Sequence, residues 1–445
     1  MDIAAVVKKQ MSRFYQPVDI ASLAFFRVAF GLLGFVDVLS TYVYYHWQRD
    51  AFSPHKIQFS YYGFEWVRPF PAPYMSAFFF LLMGAALLIA IGKWYRWVTP
   101  LFFVGYTYSF LLEKAFYLNH GYLFCWIAFV MIFLPANGAF SLDAKRDPEL
   151  RRRYIPLWAL FPLPFLMGLV YFYGGLAKLN GDWLRAVPLA DWLGQKAATP
   201  FIGPLLAHEW TPWLMAYGGL LLDLSAPFLL LFRRTRPFIF AGIVFFHAVN
   251  HLIFNIGIFP FLSLALTALF FSPDWPRRLA ARLFKQESTQ EVPAPAFQRR
   301  RWMPAVLALF MAFHMLNPLR HWLFPGDVAW TEEGHRYAWR MMLRSKYGYG
   351  RFVIKDLDTG EATRYSPRQD LSDKQYRKIF THPDMILQYA HYLRDREKRS
   401  GKRVAIYADI NVSLNDRPYR EFVDPKVDLA QEEWRFFRRS RWLRE

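Results

Sequence analysis

The stretch Y-F-Y-G-G-L-A-K-L-N-G-D-W, residues 171–183, ends a long apolar run in a lysine, Lys178, and then turns. The run from 154 to 175 is about long enough to cross a bilayer, so Lys178 falls close to where hydrocarbon gives way to water. An ammonium at that depth is costly unless it is paired, snorkels out or gives up its proton. Deprived of water, a lysine amine becomes a usable base at neutral pH. Gly174 and Gly175 permit close backbone approach, and Gly181-Asp182-Trp183 supplies a turn and an interfacial indole. The stretch thus has two readings: a snorkelling lysine that marks a helix end, or a functional base.

The surrounding chain is unlike an ordinary soluble protein. Its 445 residues are 54% hydrophobic and 20% aromatic, yet the mean hydropathy is only +0.08. The average hides a split, with apolar runs before about 325 and a polar, charged remainder. We therefore expect an α-helical polytopic membrane domain of 8–9 spans over residues 1–324, then a small β-rich α+β soluble domain over 325–445. The apolar stretches lie near 20–45, 73–92, 97–117, 120–136, 154–175, 211–232, 236–254, 255–272 and 302–324. Asn250, His251 and Asn255 interrupt the pair from 236 to 272, so it reads as two spans, a tight hairpin or one broken span.

The net charge of +19 does not imply nucleic acid. Lys and Arg cluster at 8–13, 93–96, 145–153, 233–236 and 277–301, all on one side of the expected bundle. The other side carries only Arg49, Lys56, Arg68, Lys114, Lys178, Arg185 and Lys196. By the positive-inside rule the N-terminus is cytoplasmic and the C-terminal domain periplasmic or its equivalent. Cys125 is the sole cysteine, which excludes an intrachain disulfide and a thiolate metal cluster. Met1 to Tyr15 is basic and amphipathic with no small-residue cleavage site, so the first apolar run is expected to start insertion itself. Asp182 to Trp210 reads as interfacial, and Ser288 to Ala296 as a flexible cytoplasmic linker. Beyond Pro325, Asp358-Thr359-Gly360 and Asn415-Asp416 predict two hairpin turns. The segment 371–398 predicts a basic helix broken at His382-Pro383.

Polar groups beside apolar segments gather in few places. Lys178, the run Asn119-His120-Gly121-Tyr122, and His247 with Asn250 and His251 all fall at the outer side of the expected topology. Each histidine alone is more simply a hydrogen-bonded structural group; their convergence with Lys178 favours function. His247 and His251, spaced i, i+4, suit a metal or haem, but His120 alone would have to complete the set, so no metal is expected. After the last span, Trp330, His335, Tyr337, Trp339, Met341 and Met342 make either an interfacial aromatic belt or an adaptable peptide-binding surface.

At these residues the chain resembles the vitamin K-dependent γ-glutamyl carboxylase family, whose membrane part is the HTTM domain. The likeness is carried by N-H-G-Y at 119–122, A-K-L-N-G-D-W at 177–183, G-G-L-L-L-D-L-S-A at 218–226 and F-H-A-V-N at 246–250. It continues through F-S-P-D-W-P-R at 271–277, Y-A-W-R-M-M at 337–342, V-S-L-N-D-R at 412–417 and F-V-D-P-K-V-D at 422–428. The resemblance implies a membrane enzyme that couples oxygenation of a reduced quinone to its epoxide with carboxylation of peptide glutamate to γ-carboxyglutamate. Reduced vitamin K (phylloquinol or menaquinol), O₂ and CO₂ are the implied cofactor and co-substrates. Lys178 falls on the family's catalytic base, with His120 and His247 beside it as catalytic groups. Asn119, Tyr122 and Asn250 are the implied cofactor-binding residues, and the 330–342 set binds the glutamate substrate. The implied partners are the lipid bilayer and a glutamate-containing peptide.

The animal members' disulfide has no counterpart here, and His335 stands where they have a tyrosine. The expected setting is the inner membrane of a bacterium. Two other functions fit the same residues: a quinol epoxidase or oxidoreductase without carboxylation, and a non-catalytic transporter or scaffold with a periplasmic binding domain.

Overall fold

A computed structural model describes residues 12–43, 57–200, 202–254, 256–284, 293–298, 300 and 302–445. The amphipathic start up to residue 11, Arg49, Lys56, Asn255, Lys285, Arg299, Arg301 and the first half of the expected 288–296 linker lie outside the described residues.

Each apolar stretch contains a helix. They are α1 (Ala21–Val43), α2 (Ala72–Ile91), α3 (Tyr95–Leu111), α4 (Asn119–Phe133), α5 (Pro162–Ala177), α6 (Thr211–Leu229), α7 (Arg236–Ile253), α8 (Phe259–Thr267) and α9 (Met303–Leu316). Among the described residues four helices are long and apolar enough to cross a membrane, namely Ala21–Val43, Pro73–Ile91, Arg236–Ile253 and Met303–Leu323. The segments Asn119–Phe133, Pro162–Ala177 and Phe259–Phe270 are apolar but shorter. Proline starts most of these helices at its first turn, where the missing N–H is not needed. The expected interfacial segment holds short helices, Gly181–Leu184, Val187–Gly194 and Gly203–Leu206.

The end of the bundle remote from Lys178 is tied by one charged residue. Arg27 on α1 is fully buried, and its guanidinium donates to the carbonyls of Ala136 (2.8 Å), Ala139 (3.0 Å), Phe140 (2.6 Å) and Ala90 (3.3 Å). It thereby satisfies carbonyls beyond α4 and at the end of α2 that have no helical partner. Alongside, β1 (Pro17–Asp19) pairs with β2 (Tyr154–Pro156). α1 and α2 approach closely: a Cβ on Gly31 would sit 2.5 Å from the Ala90 nitrogen, so only glycine fits there.

The C-terminal part is a four-stranded antiparallel sheet of β3 (Lys346–Asp356), β4 (Ala362–Tyr365), β5 (Val404–Leu414) and β6 (Arg420–Glu421), in the order β4-β3-β5-β6. Both expected hairpin turns form. Asp356 Oδ1 accepts from Asp358 N and Thr359 N, with Gly360 at φ 75°, while Asn415 and Asp416 sit at φ 52° and 58°. The long β3–β5 pairing, from Lys346↔Leu414 to Asp356↔Val404, joins segments that no local signal connects. The basic helix breaks as expected into α10 (Asp373–Ile379), opened by a Ser372–Gln375 capping box, and α11 (Pro383–Arg399).

Two hydrophobic cores result. The membrane core runs through α1–α8 and takes in Trp339 from beyond the last span. The second lies between the sheet and α11, and includes Phe59 and Ala115 from the loops before α2 and after α3. Each side chain fully buried there contributes about 1.5–3 kcal/mol, so these loops and the sheet are parts of one packed interior. Polar links reinforce the seam. Lys114 reaches Asp384 at 2.8 Å, Gln375 Nε2 donates to Glu113 Oε2 at 2.9 Å, and Asn415 Nδ2 donates to Asp182 Oδ2 at 2.7 Å. The end of the bundle that carries Lys178 therefore faces the sheet.

Candidate active site

Lys178 caps the C-terminus of α5, where the chain leaves the helix for the Asn180 turn. A helical side chain leans toward the N-terminus, and Nζ reaches back one turn to the Gly174 carbonyl at 3.3 Å. The residue is 8% exposed, so it does not snorkel. Its principal partner is Asp223 on α6, with Nζ–Oδ2 at 2.5 Å and each side chain 10% exposed. The Trp183 ring lies 5.4 Å from the ammonium nitrogen. Of the three ways open to a lysine at this depth, the structure shows pairing, with a carboxylate within hydrogen-bond reach.

The close packing of α5 on α6 explains how a short Asp reaches Lys178. A Cβ on Gly175 would fall 2.8 Å from Leu224 Cγ and 2.9 Å from its backbone nitrogen, so the helices touch backbone to backbone. On Gly174 a Cβ would lie 3.6 Å from Asp223 Oδ2 and 3.8 Å from Met341 Cε. Gly174 is thus a notch where the lysine, the aspartate and one of the expected substrate-binding methionines meet. Leu343 packs with Ala177, Trp183 and Ala216, and Trp183 Nε1 donates to the Ala216 carbonyl at 3.1 Å. The chain after the last span therefore closes over the Lys178 end and keeps it dry.

Two turns back along the same helix face, Tyr171 shares hydrogen bonds with Ser263 (2.7 Å) and Thr267 (2.8 Å) of α8. Ser263 Oγ also bonds His247 Nε2 at 2.8 Å. His247 is 2% exposed, and its Nδ1 is buried without a partner among the described residues. A buried ring nitrogen left unpaired is costly. The Phe259 ring joins the two histidines, 5.7 Å from His247 and 6.3 Å from His120 between centroids. Lys178, His247 and His120 are thus linked through α5, Ser263 and Phe259.

His120 lines a cavity of about 480 Å³ together with His251 and Asp37. His251 lines this cavity, whereas His247 is not among its lining residues. Asp37 lies inside α1, accepts from Tyr106 OH at 2.6 Å and has no ion-pair partner among the described residues. Asn119 Oδ1 accepts from Tyr117 OH at 2.9 Å, and its Nδ2 approaches the Arg340 carbonyl at 3.4 Å. The Tyr122 ring lies tilted against those of Tyr337 (4.7 Å) and Trp339 (5.4 Å), and its hydroxyl accepts from Asn317 at 3.3 Å. Asn250 is half-buried on α7 and contributes a carbonyl to Phe254 N.

A family model described as HTTM domain matches residues 15–275, and one described as the lumenal domain of vitamin K-dependent gamma-carboxylase matches residues 299–445. The chain belongs to the vitamin K-dependent γ-carboxylase family. No solved structure matches it significantly.

The remaining expected substrate residues of this family member divide sharply. Trp339 is 2% exposed in the membrane core, and Trp330 is 4% exposed in the second core with Nε1 donating to the Arg444 carbonyl. Tyr337 and Met341 are half-buried, and Met342 is 41% exposed. His335 Nδ1 donates to the Glu332 carbonyl at 2.6 Å. Burial pushes its imidazole down to about 3, against the pull of the Glu332 carboxylate. Burial also drives the Lys346 amine down to about 7, again opposed by Glu332. Glu332, His335 and His382 place possible ligand atoms within 4.8 Å of one another. Arg344 already binds both Glu332 oxygens and Lys346 stands 3.6 Å away, so the carboxylate is committed to cations of the chain itself.

Asp223 and Asp37, like Tyr171, Ser263 and Thr267, had no role assigned from the sequence. The two aspartates are single carboxylates inside otherwise apolar runs, a signal that was visible in the sequence.

Proposed function

We propose that this protein is a vitamin K-dependent γ-glutamyl carboxylase-like enzyme in which Lys178, supported by Asp223, removes a proton from a bound quinol. The observation that carries the reading is the dry Lys178–Asp223 pair under the 337–343 cover, in a chain of this family. The residues suit a quinol on one structural ground, because His247 Nδ1 is a buried polar atom without a partner among the described residues. In this reading His247 Nδ1, His120 and Asn119 hold the quinol oxygens. Reduced vitamin K, when bound, supplies the chemistry by which O₂ uptake generates a base able to take a glutamate γ-hydrogen, after which CO₂ adds. Transfer of the Lys178 proton to Asp223 frees the amine lone pair, which then takes the quinol proton. The cover excludes water, and Met341 at the Gly174 notch brings the substrate-binding stretch to the lysine.

In the same reading the shorter apolar helices cross the membrane as part of the bundle, giving 8–9 spans. The N-terminus is cytoplasmic and the sheet periplasmic, in a bacterial inner membrane. Incubation with vitamin K hydroquinone, labelled CO₂ and a glutamate-rich peptide tests the proposal, with epoxide and fixed label as joint products expected. Epoxide without label would leave a quinol epoxidase, a reading favoured by the engagement of His335 with Glu332. Neither product would discard the enzyme reading altogether.

A further inference from the structure

A second cavity, of about 670 Å³, has Tyr122, His335 and Tyr337 in its wall but neither Lys178 nor Asp223. Its volume is in the range of small-molecule sites. Two of its lining groups carry buried polar atoms without partners among the described residues, the Tyr61 hydroxyl and Arg336 Nε. Tyr61 is 5% exposed, so water does not readily satisfy that hydroxyl. Arg320 also faces the cavity; it donates to the Arg336 carbonyl at 2.7 Å, lies 5.0 Å from the Tyr337 ring centre and has no ion-pair partner among the described residues.

The charge balance at this end is positive. Lys114 and Arg336 share the single carboxylate of Asp384, at 2.8 and 2.5 Å, and Arg320 adds a third cation. Glu332 lines the cavity too, but its oxygens are occupied by Arg344 and Lys346. The other end is aromatic and at membrane depth, with Phe103 on α3, Trp126 and Phe129 on α4, and Phe313 on α9. Phe313 is 44% exposed, so this end opens toward lipid. At the rim Phe436 and Phe437 are 56% and 68% exposed, between Arg435 and Arg438. An aromatic pair flanked by arginines suits the headgroup layer of an anionic membrane.

We propose that this cavity binds an anionic phospholipid drawn from the bilayer. Its phosphate is held by Arg320, Arg336 Nε and the Tyr61 hydroxyl, and one acyl chain lies along the aromatic end. Charge complementarity calls for an anion, and a floor on three helices of the bundle calls for a hydrocarbon chain on the same molecule. A soluble acidic peptide satisfies only the first demand.

The test uses the full chain purified in detergent and exchanged into vesicles of phosphatidylcholine alone or with phosphatidylglycerol. Native mass spectrometry then counts the lipids retained on extraction. We expect phosphatidylglycerol to be retained about tenfold over phosphatidylcholine, with the preference lost in Arg320→Gln and reduced several-fold in Tyr61→Phe. Equal retention of the two lipids, or unchanged preference in both variants, overturns the proposal. So does displacement of phosphatidylglycerol by a glutamate-rich peptide, which would assign the cavity to the peptide instead. If Arg320→Gln does not fold, Tyr61→Phe decides alone, because it deletes one unpaired oxygen from a packed ring. None of these readouts depends on turnover.

Discussion

Replacing Asp223 by Asn keeps the side-chain shape and removes the charge that faces Lys178. With Nζ and Oδ2 2.5 Å apart and each side chain 10% exposed, the gross attraction is about 7 kcal/mol at an effective dielectric of 20. Desolvation offsets much of that, and removing one member of such a buried pair costs roughly 3–5 kcal/mol because the other is left uncompensated. Asp223→Asn should therefore melt clearly below the wild type in detergent, followed by light scattering and size exclusion. Epoxide formation should fall by about 10²-fold or more, the range for loss of assisted proton transfer. Pairing Lys178→Met with Asp223→Leu should recover most of the thermal loss, since a packed apolar pair replaces the charges at little cost. An Asp223→Asn protein that melts with the wild type, or a double variant no more stable than the single one, would refute the reasoning.

Three further outcomes can be checked independently. Gly175→Ala should destabilise by about 1–3 kcal/mol, because its Cβ would meet Leu224 at 2.8 Å, whereas Gly174→Ala should fold normally, and parallel thermal melts compare them. Asp384→Asn leaves Lys114 and Arg336 without their shared carboxylate, which those cations hold well below its usual range despite burial. Limited proteolysis should then cut the seam between sheet and helices faster than in wild type, with a cost of roughly 3–5 kcal/mol. For His335, burial puts the folded imidazole at about 3 against an ordinary 6.5. Between those values the unfolded chain binds a proton that the folded chain does not, so stability falls on acidification from pH 6.5 toward 3. The limiting slope is about 1.4 kcal/mol per pH unit for one proton, and His335→Gln should flatten the melting-temperature profile across that window.

Much of the fold was legible because it depends on local signals. Apolar runs placed each helix of the bundle, Asp358-Thr359-Gly360 and Asn415-Asp416 placed the hairpin turns, and His382-Pro383 placed the break before α11. Contacts distant in sequence were not legible. Arg27 gathers carbonyls from about 63 to 113 residues away, β3 pairs with β5 across two helices, and Phe59 and Ala115 enter the core of the sheet. Among the described residues only four helices qualify as spans by length and hydropathy, and Asn119–Phe133, Pro162–Ala177 and Phe259–Phe270 are apolar but shorter. At the site, Lys178 stood out as a cation ending an apolar run, but its partner sits 45 residues on, in a motif quoted without a role for its aspartate. The substrate stretch was legible as aromatic and methionine-rich. Nothing in its composition foretold that Trp330 and Trp339 would be buried in different cores while Met341 reaches the Gly174 notch.

The central claim is that the amine of residue 178 begins the chemistry on a lipid-soluble quinol. The most direct measurement is epoxide yield from vitamin K hydroquinone by Lys178→Ala protein that expresses and elutes like the wild type. No epoxide above the enzyme-free rate is expected; epoxide at the wild-type rate would contradict a role for this amine.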